Sequence, residues 1–275
     1  MTAAFALLGC GRRYIFLQSV LHCEVCSVFT ITIYMLVKEI NELNIKVVAR
    51  IRSDFPDKFG IPRQSGLLKN LHSTIVFEPE FRNADALRGL EGFSHLWLLW
   101  IFSENVRDTW KPTVRPPRLG GNTRLGVFAT RSSFRPNPLA MSCVKIEKIN
   151  LTGEGAPSIT VSGADLMDGT PIVDIKPYLP YADSVPEATG GFAEAVRFKK
   201  LEVEFADGIF APGSDAAAFP EQKKAALVEL LSEDPRPAYQ RSADRIYGIR
   251  FAGFEIKFQV QGDHLTVVAI LPLQS

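Results

Sequence analysis

The sequence predicts a mainly β protein, with an antiparallel barrel or sandwich over about residues 45–190 and a small α+β domain after it. Short apolar runs separated by turn residues, with few helical patterns among them, indicate the first part. Beyond the Gly190-Gly191 pair the pattern changes to one amphipathic helix and a β-meander, which indicates the second.

The elements run in order along the chain. "IKVVARI" (45–51) is rich in β-branched residues and fits a strand. "SDFPDKFGIPRQSG" (53–66) carries two prolines and two glycines and reads as a loop. "STIVFEPEF" (73–81) is strand-like, and Asn83 is placed to cap a short helix through "ADALRGL". "FSHLWLLWIF" (93–102) is almost wholly apolar; it reads as a strand buried on both faces, with a buried helical segment as the competing reading. "LGVFATR" (125–131), "AMSCVKIEKI" (140–149) and "SITVSGADL" (158–166) are further strands, and "IVDIKPYLPYADSVPEATGG" (172–191) reads as a Pro-rich exit segment. "VRFKKLEVEF" (196–205) is a strand. "FPEQKKAALVELLSED" (219–234) is a helix with Pro220 near its first turn and Ala226, Leu227, Leu230 and Leu231 on one face. The meander spans 245–271, turning near Ala252-Gly253 and Gly262-Asp263.

The chain has 275 residues, 46% hydrophobic and 22% charged, so it can bury a large core and is not disordered. Four cysteines make no disulfide framework and read as reduced, intracellular thiols. The C-x-x-C of "HCEVC" (22–26) has no second pair to complete a zinc site, so no metal is expected. His22, Glu24 and several hydroxyl residues interrupt the apolar stretch before Met35, so no membrane span is expected. Residues 1–34 read as a dispensable extension.

Net charge is only +1, yet "WKPTVRPPRLGGNTRLGVFATRSSFRPNP" (110–138) holds six cations and no acid. Its prolines and glycines preclude a long helix, so these cations sit on loops, and such single-sign clustering suits contact with phosphates. A second constellation, "GADLMDGTPIVDIKPY" (163–178), brings three aspartates within ten residues. It reads either as an Asx-type turn at Asp168 or as a loop gripping a polar, cationic or ribose-bearing ligand. His95 reads either as a satisfied core histidine or as a catalyst. No complete glycine fingerprint, Walker A sequence or G-x-S-x-G elbow occurs.

"FGIPRQSGL", "RGLEGFSHLWLL", the basic stretch through "LAMS", "DLMDGTPIVDIKPYLPYADSVPEA" and "EDPRPAYQR" together, and in that order, resemble the TrmO (YaeB/TsaA-like) family. The resemblance covers about 45–275; residues 1–44 lie outside it. It implies a single-sheeted antiparallel β-barrel domain (45–191) that binds S-adenosylmethionine, and a small α+β C-terminal domain (192–275) that assists tRNA binding. The implied activity is methylation of N6 of threonylcarbamoyladenosine at tRNA position 37, by a cytoplasmic homodimer.

Carried over by position, the cofactor site comprises Pro62, Arg63, Gln64, Ser94, His95, Arg131, Met141 and Asp165, Leu166, Met167, Asp168, Gly169 and Thr170. His95, Asn137 and Asp174 are the catalytic candidates, with solvent as another acceptor for the proton; Asn137-Pro138 is similar to the Asn-Pro loop of other amino-methyltransferases. Lys111, Arg115, Arg118, Arg124 and Arg135, with Arg236, Tyr239 and Arg241, are the expected contacts to the anticodon loop. Ala140 departs from the glycine the family motif leads one to expect. Competing readings are a non-catalytic RNA-binding barrel and a small-molecule methyltransferase on the same barrel.

Overall fold

A computed structural model describes residues 43–273, apart from 108, 117, 118, 120, 121, 196–199, 237–241 and 243. The chain divides into residues 1–44 and 45–275, and the strands and helices below all belong to the second unit. Among the described residues no helix is long and apolar enough to cross a membrane.

Six strands, β1 (Ala49–Arg52), β2 (His72–Phe77), β3 (His95–Ile101), β6 (Leu139–Asn150), β7 (Ser158–Ser162) and β8 (Pro171–Pro177), close into a barrel in the order β1-β2-β7-β6-β3-β8. Every pairing in it is antiparallel. Period-two alternation turns Ile51, Ile75, Leu96, Leu98, Val144, Ile159, Val161 and Ile172 into one apolar core. The mainly β expectation and the single closed sheet are both met, which decides for the barrel over the sandwich.

Three local expectations change. The 172–191 segment is not simply an exit: Pro171–Pro177 is the closing strand, pairing Ala49 with Ile172 on one side and Leu98 with Ile175 on the other. Its prolines stand at the strand ends, where a missing N–H is tolerated. β3 is a strand, but it is not buried on both faces. Leu96, Leu98 and Trp100 are buried, whereas His95, Trp97, Leu99 and Ile101 are half-buried on the outer face. In 125–131 only Leu125–Gly126 (β5) forms a strand. It pairs with Thr113–Val114 (β4) in a small ribbon and runs into a 3-10 turn at Val127–Ala129. Asn83 does cap the short 3-10 helix at Ala84–Leu87, accepting from the Asp85 N–H at 2.9 Å.

The C-terminal sheet runs β10-β11-β12-β9, from Glu202–Phe205 (β9), Tyr247–Phe251 (β10), Phe254–Gln261 (β11) and His264–Pro272 (β12), with β9 parallel to β12. Ala252 and Gly253 turn the first hairpin, both at positive φ, as a tight hairpin of right-handed twist requires. The helix at Lys224–Ser232 buries Ala226, Leu227, Leu230 and Leu231 against this sheet, on the face the sequence indicates. Phe55, Leu68 and Leu71, from the segment between β1 and β2, enter the same core. Lys223 is also paired with Asp54. The 53–71 segment is therefore held between barrel and C-terminal sheet.

Gly163 fastens that segment to the barrel. Its N–H donates to the Leu71 carbonyl (3.0 Å) and its carbonyl accepts from the Gly66 N–H (2.8 Å). Its φ is +80°, and a Cβ there would lie 3.1 Å from the Gly66 Cα. Gly163→Ala is expected to destabilise the protein by about 1–3 kcal/mol, read as a lowered calorimetric melting temperature; an unchanged melt would show that the 66–163 contact yields without cost.

Candidate active site

A cavity of about 560 Å³ opens where the far end of β3 and the start of β6 meet the 61–64 loop, the 130–135 segment and the 165–170 turn. That size is within the range of small-molecule sites. One wall is apolar, formed by Leu99, Trp100, Phe102, Leu139, Ala140 and Met141. The lining also has a polar part, with Arg63, Gln64, Thr130, Arg131 and Asp165.

The polar side is cross-braced. Arg63 donates to the carbonyls of Asp234 (3.2 Å) and Arg236 (3.4 Å), tying the 61–64 loop to the segment after the helix. Arg131 donates to Gln64 Oε1 at 2.6 Å, and the Ser65 hydroxyl accepts from the Cys143 N–H at 3.1 Å. The loop is thus pinned at three successive residues before any ligand arrives, which lowers the ordering cost of binding.

Asp165 is the aspartate of the lining. Its carboxylate accepts from the Ser142 hydroxyl at 2.5 Å, and that hydroxyl accepts from the Trp100 indole N–H at 2.9 Å. Burial pushes the Asp165 carboxyl above the ordinary carboxylate range. Ser142, backbone N–H groups including that of Ser65, and the nearby Arg131 charge pull it back down without cancelling the rise.

The 166–170 turn is held from the barrel side. Asp168 accepts from the Ser53 N–H at 3.0 Å and meets Arg52 at 3.5 Å, while the Ser53 hydroxyl donates to the Leu166 carbonyl. Thr170 donates to the Met167 carbonyl at 2.7 Å. Asp168 is therefore a clasp between two segments; among the described residues its carboxylate meets Ser53 and Arg52 and it is outside the cavity lining.

Of the expected cofactor residues, Pro62, Arg63, Gln64, Arg131, Met141, Asp165, Met167 and Thr170 line this cavity. Leu166 is in the barrel core, and Asp168 and Gly169 form the back of the turn. His95 stands at the opposite end of β3, about 13–20 Å along the strand from Leu99–Ile101, and Ser94 immediately precedes it. There the Ser94 hydroxyl meets His95 Nδ1 at 2.8 Å. Asp174 is on the outer face of β8, ion-paired with Lys176 at 2.9 Å, and Asn137 is exposed on the 135–138 loop outside the lining.

Among the expected RNA contacts, Lys111, Arg115 and Arg124 are exposed. Arg135 lines the cavity and donates to the carbonyls of Val127 (3.4 Å) and Thr130 (2.7 Å). Arg236 is nearly buried against Asp234 at 2.7 Å, an arrangement that holds the chain. Arg118, Tyr239 and Arg241 lie outside the described residues. Sequence reasoning missed Leu99, Trp100, Phe102 and Leu139, because apolar lining looks the same in sequence as core.

The family model of the tRNA-methyltransferase O N-terminal domain matches residues 50–184, and that of the TrmO C-terminal domain matches residues 199–273. The chain is 40% identical over 224 residues to a protein of Escherichia coli (strain K12) named tRNA (adenine(37)-N6)-methyltransferase, spanning 81% of this chain and 95% of that one. It is 42% identical over 215 residues to a Pseudomonas aeruginosa protein named putative S-adenosylmethionine-dependent methyltransferase RcsF, covering 78% of this chain and 90% of the relative. A crystal structure of TrmO from Pseudomonas aeruginosa superposes with a TM-score of 0.68 at 31% identity, covering 84% of this chain and 99% of that one.

Because its folded-state pKa is raised, Asp165 weakens stability above that pKa, and the penalty disappears below the ordinary carboxylate value. Asp165→Asn is therefore expected to melt at a higher temperature than the parent at neutral pH, with the difference closing as pH falls through the interval between those two values. Melts of both proteins across pH check this, and a difference independent of pH would show that the carboxylate carries no such penalty.

Proposed function

As a member of the TrmO family of tRNA methyltransferases, the chain, we propose, transfers a methyl group from S-adenosylmethionine to N6 of adenine 37 in tRNA. The observation that carries the reading is the convergence of the 61–64 loop, Arg131 and the 165–170 turn on one cavity beside a cation-rich loop. The donor set fits S-adenosylmethionine: an apolar wall for its adenine and thioether carbons, and a buried carboxylate with hydroxyl and amide groups for its polar ends. Bound there, the cofactor supplies a sulfonium-activated methyl group.

The chain's own residues supply alignment and a dry surface. Asp165, fixed by Ser142, is oriented to accept an N–H or O–H of the cofactor. Leu99, Trp100, Phe102 and Leu139 exclude water from one side. His95, Asn137 and Asp174 are outside the cavity lining, so the reading leaves the departing amine proton to solvent.

A threonylcarbamoyl substituent on the acceptor carries a carboxylate, and Arg63, Arg131 and Arg135 at the cavity against Asp165 and Glu104 favour such an acceptor. Lys111, Arg115 and Arg124 hold anticodon-loop phosphates in this reading. A cytoplasmic homodimer belongs to it as well, and the exposed Tyr181 and Val185 beyond β8 are compatible with a second copy.

The test is nucleoside mass spectrometry of tRNA lacking the modification, after incubation with the purified protein and S-adenosylmethionine. The N6-methylated nucleoside is the expected product; methylation of small acidic metabolites with tRNA untouched would overturn the reading. Arg131→Ala releases Gln64 and is expected to lower turnover by up to about 100-fold through misplacement of the loop. Arg115→Ala is expected to weaken tRNA binding and to reduce the slope of log affinity against log salt by about 1.

A further inference from the structure

On the reading of the cavity as a tRNA-methylating site, we infer that Trp110 and Phe128 form a stacking platform for an unpaired RNA base next to the acceptor adenine. Both side chains are left in solvent, at 51% and 72% exposure. Their ring centroids are 6.2 Å apart with planes inclined by 37°, so the two rings are neighbours in aromatic contact.

The scaffold beneath them is braced. Val127, beside Phe128, is buried, and its N–H donates to the Pro112 carbonyl at 2.9 Å. That bond and the β4–β5 ribbon join the segment carrying Phe128 to the segment carrying Trp110. Arg135 closes the far side through the carbonyls of Val127 and Thr130. The backbone beneath both rings is held by this framework, so little backbone ordering remains to be done when a ligand stacks on them.

The surrounding charge selects the partner. Lys111, Arg115 and Arg124, carried on the same two segments as the rings, are exposed, and no acid occurs in the sequence from Trp110 to Pro138. Flat aromatic faces among cations are what a single strand requires, with bases on the rings and phosphates on the charges. Phe128 stands two residues before Thr130, and Thr130, Arg131 and Arg135 all line the cavity. The platform is thus close in the chain to the cavity lining, and the base assigned to it is that of a nucleotide adjoining the one whose base enters the cavity. Phe134 is not equivalent, because the Arg107 guanidinium lies 3.9 Å from its centroid and covers its face. The Arg135 guanidinium is 5.9 Å from the Phe128 centroid, close enough to polarise the ring without capping both faces.

The experiment measures binding of a fluorescently labelled anticodon stem-loop RNA to the full chain across salt concentrations. Phe128→Ala and Trp110→Ala are each expected to lower affinity about 5- to 150-fold, which corresponds to about 1–3 kcal/mol per stacked base. The salt slope stays that of the parent, since no charge is removed, and Phe128→Tyr restores binding. An abasic nucleotide beside the acceptor adenine is expected to weaken the parent by a similar factor and the Trp110→Ala/Phe128→Ala protein hardly at all.

Parent-like affinity in the alanine variants, or a loss indifferent to the abasic change, overturns the inference. Should the alanine variants lose their fold in circular dichroism melts, Phe128→Leu keeps the apolar contact without the ring, and it must still bind weakly. Methyl transfer to whole tRNA by the parent is measured alongside. With transfer present and the variants binding normally, only the platform falls. With transfer absent, the methylation reading falls and the abasic comparison alone decides the platform.

Discussion

The antiparallel pairing of β8 with both β1 and β3 is the constraint on which the rest of the molecule depends. It closes the six-stranded sheet, removes its free edges, and sets the register that brings the 165–170 turn to the cavity. The register shift between Leu99 and Trp100 in the β3–β8 ladder falls at the same place. Bulges of this kind re-aim side chains, and here both residues at the shift line the cavity.

Around that closure the protein places a poorly solvated carboxylate. Asp165 is bonded through Ser142 to the Trp100 indole, so three strands or turns share one buried polar chain. Such a chain is satisfied in the folded state, yet burial still disfavours the charged form. A group kept against its own stability interest is characteristic of a functional position. Asp168, three residues on, has the contrasting part: more exposed, held by Ser53 and Arg52, it fastens the turn to β1.

The basic stretch divides in a similar way. Arg131 and Arg135 turn toward the cavity and hold Gln64, Val127 and Thr130, while Lys111, Arg115 and Arg124 remain in solvent. One cluster of like charge thus contains both the bracing of the loops and a field outside them. Arginine suits the first task because its guanidinium carries several N–H donors, and Arg135 Nη1 alone donates to two carbonyls.

Alternation and turn residues in the sequence alone determined the β-rich class, the helix face at Ala226, Leu227, Leu230 and Leu231, the Asn83 cap and the hairpin at Ala252-Gly253. Each depends on neighbours a few positions away, so local order encodes it. The resemblance of the ordered motifs to the TrmO family likewise marked Arg63, Gln64, Arg131 and Asp165, residues that composition and periodicity alone leave undistinguished. Only the tertiary structure decided that Pro171–Pro177 closes the barrel, that Ser94 and His95 stand at the other end of β3, and that Leu99, Trp100 and Phe102 wall the cavity. Strand partnership and the side of a wall are set by contacts between residues distant in the chain, and a run of apolar letters reads the same whether it faces a core or a ligand.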